Sequence, residues 1–175
     1  MSCGSRSTAG ENMRRLVIGI GNAARGDDAA GRSAVRLLHG KVPEDVAVEE
    51  HDGEATALLA ALADTSIAFL IDACASEAPA GSIHRFDVGA GETPRADSPV
   101  SSHGLGLAEA LSLARALGQL PARCIVYAIE GQSFETGAGL SPSVTKAIGE
   151  VVRRVLIELA ATPAVEGMAQ CTKPR

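Results

Sequence analysis

Residues 16–31 (Leu-Val-Ile-Gly-Ile-Gly-Asn-Ala-Ala-Arg-Gly-Asp-Asp-Ala-Ala-Gly) join an apolar run to a glycine turn, two adjacent carboxylates and a helix-forming segment. An unbroken apolar run is the pattern of a strand covered on both faces, as in a parallel sheet. Gly19 and Gly21 let the backbone turn sharply at its end. Asp27 and Asp28 then stand just before a helix, where the positive end of the helix favours an anion. The same carboxylates repel a bound phosphate. The turn therefore resembles a nucleotide-binding glycine turn adapted to hold something positive, and a metal ion is expected there.

The rest of the chain alternates in the same way. Arg15–Ile20 reads as a first strand, Val46–Glu50 as a second, and Ser66–Asp72 as a fully apolar third strand that ends on a carboxylate. Gly81–Val88 and Ala122–Ile129 are the fourth and fifth. Helices are expected over Ala29–Leu38, Glu54–Ala63 and His103–Leu117. The last helix has Ser141 as its cap, Pro142 in the first position, and Val144, Ile148, Val151, Val155 and Leu159 at helical spacing. Strand–helix alternation implies a doubly wound α/β fold: a three-layer sandwich with a twisted, mostly parallel sheet of about five strands and helices on both faces. With 46% apolar but only 2% aromatic residues, its core must be built from Ala, Val, Leu and Ile. One domain over 15–161 is expected, with flexible tails at 1–14 and 162–175, which are rich in Ser, Gly, Pro and charge. Residues 89–102 form a long irregular stretch, of a kind more often functional than idle in a compact domain.

Several classes of function are disfavoured. A net charge of −5 offers no basic surface for nucleic acid. No apolar run reaches membrane-spanning length and no signal-peptide pattern opens the chain, so a cytoplasmic protein is expected. Cys3, Cys74, Cys124 and Cys171 form no C-x-x-C pair, so no zinc knuckle or disulfide framework is signalled, and Cys74 and Cys124 are expected as free buried thiols.

In an open parallel sheet, ligands bind beyond the carboxyl ends of the strands, where the winding reverses. Asp28 lies past the first strand and Asp72 ends the third. If these strands are neighbours, both carboxylates face one crevice. His103 opens the helix after the long loop, where the helix dipole disfavours an imidazolium and leaves the ring able to ligate. Two carboxylates and one imidazole suit zinc or nickel and leave coordination positions open. Ordinary alternatives stand beside this reading: Asp27 or Asp28 as a helix cap, Asp72 as a turn cap, His103 bonded to a backbone carbonyl. His39 and His84 read as structural or solvated, and His51 as a weak candidate for contacting substrate. Cys74 could pair with His103 as a nucleophile, but a thiol at an apolar strand end is usually inert.

The motifs Gly19-Ile-Gly-Asn22 with Asp27-Asp28-x-x-Gly31, Leu70-Ile-Asp72-Ala73, Ser102-His103-Gly-Leu-Gly-Leu107 and Gly139-Leu-Ser-Pro-Ser-Val144 together resemble the endopeptidases that mature nickel-iron hydrogenases. The resemblance runs from Leu16 to Leu159. It implies an α/β sandwich and a cut that removes a short C-terminal peptide from the precursor of the hydrogenase large subunit once nickel is in place. It also implies that the residues matching Asp28, Asp72 and His103 contact metal and carry catalysis. That metal would be the substrate's own nickel, with zinc or cadmium able to substitute in crystals. Separately from the resemblance, a monomer is expected, and no nucleotide is expected at the Gly19 turn because Asp27 and Asp28 oppose phosphate there. Many members carry Asp-Gly-x-Thr after the second strand, whereas this chain has Asp52-Gly-Glu-Ala55, which bears on the choice of precursor.

Three rivals remain. Gly19-x-Gly21-x-x-Ala24, with Glu49 or Glu50 ending the second strand, satisfies a loose dinucleotide fingerprint and would make the chain an oxidoreductase. The Gly-x-Gly-Asn turn is also similar to that of peptidyl-tRNA hydrolase, although no histidine follows soon after it. A non-catalytic chaperone that holds the precursor is the third.

Overall fold

The computed structural model describes residues 14–76, 78–92 and 106–162. Among these residues, five strands form one sheet: β1 (Arg14–Ile20), β2 (Val46–His51), β3 (Thr65–Cys74), β4 (Ile83–Asp87) and β5 (Arg123–Glu130). Their order is β2-β1-β3-β5-β4. β1 pairs parallel to both β2 and β3, β3 pairs parallel to β5, and β4 closes one edge antiparallel to β5. The chain winds outward from β1 to β2 and then crosses back to β3. The reversal thus falls between β1 and β3, which are neighbours as the site argument requires.

Among the described residues, four α-helices cover the sheet: α1 (Ala30–Leu38), α2 (Ala55–Leu62), α3 (Gly106–Ala116) and α4 (Pro142–Ala160). Side chains alternate along each strand, and two cores result. Val17, Phe69, Ile71, Tyr127 and Ile129 face α1 and α4. Leu16, Ile18, Ile20, Leu70 and Val126 face α2 and α3. The expected three-layer α/β sandwich is therefore present. Its α4 buries Val144, Ile148, Val151, Val155 and Leu159, each contributing about 1.5–3 kcal/mol of burial. Ser141 caps α4 through its hydroxyl, with Pro142 in the first turn.

Two boundaries differ from expectation in ways that matter. β3 continues two residues past Asp72 to Cys74, because β5 keeps pairing through Asp72↔Ala128 and Cys74↔Glu130. Asp72 therefore lies inside the strand rather than at its end. β1 begins at Arg14, which pairs with Thr65, so the first residue of the sheet comes from the stretch expected as a tail. Residues 1–13 and 163–175 of the expected tails, like His103, lie outside the described residues, and Thr162 donates its hydroxyl to Glu158 O at 3.0 Å. Among the described residues no helix is long and apolar enough to cross a membrane.

Candidate functional site

The glycine turn is shaped by close backbone approach. Gly21 has φ +136, and a Cβ there would lie 1.8 Å from the carbonyl oxygen of Asp28. A Cβ on Gly31 would lie 2.1 Å from the carbonyl oxygen of Ile71 and 2.3 Å from that of Ile20. The missing side chains thus let the segment after β1 fold back on the turn and let α1 sit directly on β1 and β3. Three of the turn's N–H groups are engaged within the protein. Gly21 N donates to His51 O at 3.1 Å, Asn22 N to Asp28 Oδ2 at 3.2 Å, and Ala24 N to Asn22 Oδ1 at 2.9 Å.

The two adjacent carboxylates take different roles. Asp27, in a short 3-10 turn over Gly26–Ala29, accepts from the backbone N–H groups of Gln132 (2.8 Å), Ser133 (3.0 Å) and Ser141 (2.6 Å). Burial alone would raise its pKa, but these N–H groups, Ser141 foremost, hold it below the usual carboxylate range. Asp27 is thereby a fastener between the start of α1 and the β5–α4 connection, and it joins the first sequence motif to the last. Asp28, also fully buried, turns to the crevice side and accepts from Asn22.

Asp72 is 1% exposed. Its Oδ1 accepts from the N–H of Ala73 at 2.8 Å, while its Oδ2 is buried with no hydrogen-bond partner. Burial raises its pKa to about 7, the Ala73 N–H opposes the rise, and the nearby charge of Asp28 adds to it. The charge of Asp28, next to the β1/β3 switch point, thus reaches Asp72. Two buried carboxylates whose charges oppose each other, one with an oxygen unsatisfied, form an environment that a cation relieves. The start of α3 packs against the same edge, since a Cβ on Gly106 would lie 2.1 Å from the carbonyl oxygen of Gly53. His103 precedes that point by three residues.

The structure also shows a grouping that sequence reasoning missed. Cys74, His84 and Glu130 each offer a ligand atom, all within 4.8 Å of one another, and could hold a metal ion. They come from β3, β4 and β5, and no local spacing in the sequence signals their meeting. His84, expected as structural or solvated, points Nε2 at Glu130 from 3.6 Å. Cys74 and Cys124 are free and buried, as expected. Burial, followed by the hydrogen bond to Glu130, pushes the Cys74 thiol far up, which removes it as a nucleophile.

His51 contacts Glu49 at 3.1 Å, and His39 is exposed at the end of α1. Neither acidic residue of the dinucleotide reading is disposed toward a ribose. Glu50 is tied to Arg32 and Arg36 at 2.7 Å each, with Arg36 first and Arg32 next holding its pKa at about 2. Glu49 pairs with Arg14. After β2, where the expected threonine is absent, Glu54 caps α2 by accepting from the N–H groups of Thr56 and Ala57.

Comparison with known proteins agrees with this architecture. The family model described as HycI, hydrogenase maturation protease, matches residues 35–158. The hydrogenase 2 maturation protease of Escherichia coli (strain K12) is 30% identical over 152 residues, covering 84% of this chain and 91% of that protein. Among solved structures, the hydrogenase maturating endopeptidase HybD from E. coli superposes with a TM-score of 0.70 at 29% identity, covering 85% of this chain and 93% of its own. The [NiFe] hydrogenase maturation protease HybD from Thermococcus kodakarensis shares the fold, with a TM-score of 0.67 at 24% identity, covering 84% of this chain and 99% of its own. A match over most of the chain in sequence, together with the same sandwich in space, places this chain in the hydrogenase maturation protease family.

Proposed function

We propose that this protein is a cytoplasmic, monomeric endopeptidase that removes a short C-terminal peptide from the nickel-loaded precursor of a nickel-iron hydrogenase large subunit. Asp28, Asp72 and His103 are its catalytic and metal-contacting residues. The observation that carries the reading is the buried, unpartnered Oδ2 of Asp72, two residues before the end of β3 and within reach of the charge of Asp28. With the substrate's nickel shared between these carboxylates and the imidazole of His103, the scissile bond lies beside a Lewis acid that polarises its carbonyl or activates water. Without a thiolate, this ligand set holds nickel or zinc only moderately. The site is therefore filled by a loaded precursor and can sense the metal. Zinc and cadmium have the coordination chemistry to stand in for it.

Mass spectrometry of a purified large-subunit precursor incubated with this protein is the direct test. The nickel-loaded precursor is expected to lose its C-terminal peptide, and the nickel-free precursor to stay intact. Asp28→Asn and His103→Ala should abolish cleavage while the thermal unfolding midpoint of each variant stays close to that of the parent. Cleavage of both precursors at similar rates would sink the nickel-sensing reading, and binding without cleavage would leave a chaperone.

A further inference from the structure

We propose that Cys74, His84 and Glu130 form a second metal site, suited to a zinc-like divalent ion, on the same sheet face as Asp72 but with its own ligand set. The strand register builds it. Cys74 pairs directly with Glu130 across β3 and β5, and His84 on β4 pairs with Ala128, two residues before Glu130. Because side chains alternate with a period of two, all three project from the face that carries Asp72, Val126 and Phe86.

Both spacings to Glu130 suit a tetrahedral ion, and the ligand atoms of Cys74 and His84 lie within 4.8 Å of each other. Cys74 Sγ lies 3.3 Å from Glu130 Oε2, and His84 Nε2 lies 3.6 Å from the same oxygen. Zinc bonds of about 2.0–2.3 Å at tetrahedral angles put ligand atoms about 3.3–3.8 Å apart. His84 Nε2 is buried without a hydrogen-bond partner, which costs free energy unless an ion or donor meets it. The carboxylate is already oriented, since Ser76 donates its N–H to Glu130 Oε1 and its hydroxyl to Oε2 at 2.9 Å. Such outer contacts are what hold a metal ligand in place.

Charge and access fit as well. On binding, the Cys74 S–H bond breaks and a metal–sulfur bond forms, and the proton now donated to Glu130 leaves to solvent. The resulting thiolate and carboxylate balance a doubly charged ion, and the imidazole stays neutral. β4 is an edge strand and the His84 side chain is 30% exposed, so an ion has a way in and water can take a fourth position. A thiolate, an imidazole and one carboxylate favour zinc, cobalt or nickel over magnesium or calcium. The inference does not depend on the cleavage reaction proposed above.

The test uses the full chain, stripped with a chelator under reducing conditions and titrated with cobalt(II). A thiolate ligand gives cobalt an intense near-ultraviolet charge-transfer band, which the Asp28, Asp72 and His103 set cannot produce. The expected result is one equivalent of cobalt with this band, release of a proton, and displacement by zinc. Cys74→Ser should abolish the band, His84→Gln should lose tight binding, and Ser76→Ala should weaken binding about tenfold or more, each variant being checked for folding by circular dichroism without metal. Asp72→Asn and His103→Ala should leave the band intact. Cobalt binding without the band, its persistence in Cys74→Ser, or its loss in Asp72→Asn or His103→Ala would overturn the proposal.

Discussion

Asp27 and Asp28 are neighbours in the chain with different tasks. The 3-10 turn sends one carboxylate toward the β5–α4 connection and the other toward the crevice. Asp27 satisfies three backbone donors, and removing it takes away the acceptor of all three. Asp27→Ala should therefore lower unfolding free energy by about 2–3 kcal/mol, read from the urea midpoint, whereas Asp27→Asn keeps one acceptor oxygen and should lose less. The sequence shows two acids before a helix and suits both to capping or to a cation. Which of them does which depends on Gln132, Ser133 and Ser141, more than a hundred residues away. His84 teaches the same lesson. In the sequence it is one histidine in a strand, and only the pairing of β4 beside β5 sets it against Glu130 and Cys74.

At the scale of the element, α1 is defined by what it lacks. Gly31 faces the carbonyl oxygens of Ile20 and Ile71 so closely that any Cβ would collide with backbone. Gly31→Ala should push α1 off the sheet, cost about 3 kcal/mol or more, and disturb Asp28 at its start, which a thermal melt will show as a large drop in midpoint. α4 is anchored at its far end by Glu158. This residue accepts from Arg85 (2.8 Å), Arg123 (2.8 Å) and Tyr127. Arg85 first, with Tyr127 and Arg123, holds its pKa at about 2, below its ordinary 4.5. A depressed carboxylate stabilises the fold fully above its unfolded pKa and loses that contribution as pH falls through its folded pKa. The loss therefore runs from about pH 4.5 down toward 2. Glu158→Gln should flatten the stability–pH curve in that window and cost about 1–2 kcal/mol at neutral pH, the partly exposed arginines being screened by solvent. Denaturant titrations across the acid range check both. The helical period of α4, its cap and its proline make the helix plain in the sequence. Its partners at Glu158 lie on β4 and β5 and are not.

For the whole molecule, the strand order β2-β1-β3-β5-β4 gathers the loops after β1, β2 and β3 on one edge, and there the dinucleotide reading meets its strongest opposition. The N–H groups of Gly21, Asn22 and Ala24 bond within the protein, and the Asp28 backbone fills the space beside Gly21. Titration calorimetry with NAD, NADP and ATP should accordingly show no submicromolar binding. By itself, the sequence determined the elements and their alternation, the apolar character of β1 and β3, the cap of α4 and the acidic turn. These are local properties, written in side-chain periodicity and in residues that turn or cap the backbone. Tertiary structure decided that β3 runs on past Asp72, that Asp27 serves the β5–α4 connection while Asp28 couples to Asp72, and that a thiol, an imidazole and a carboxylate meet across three strands. Each of these rests on which strands lie side by side and in what register, and pairing between segments tens of residues apart leaves no signature in the local pattern of either one.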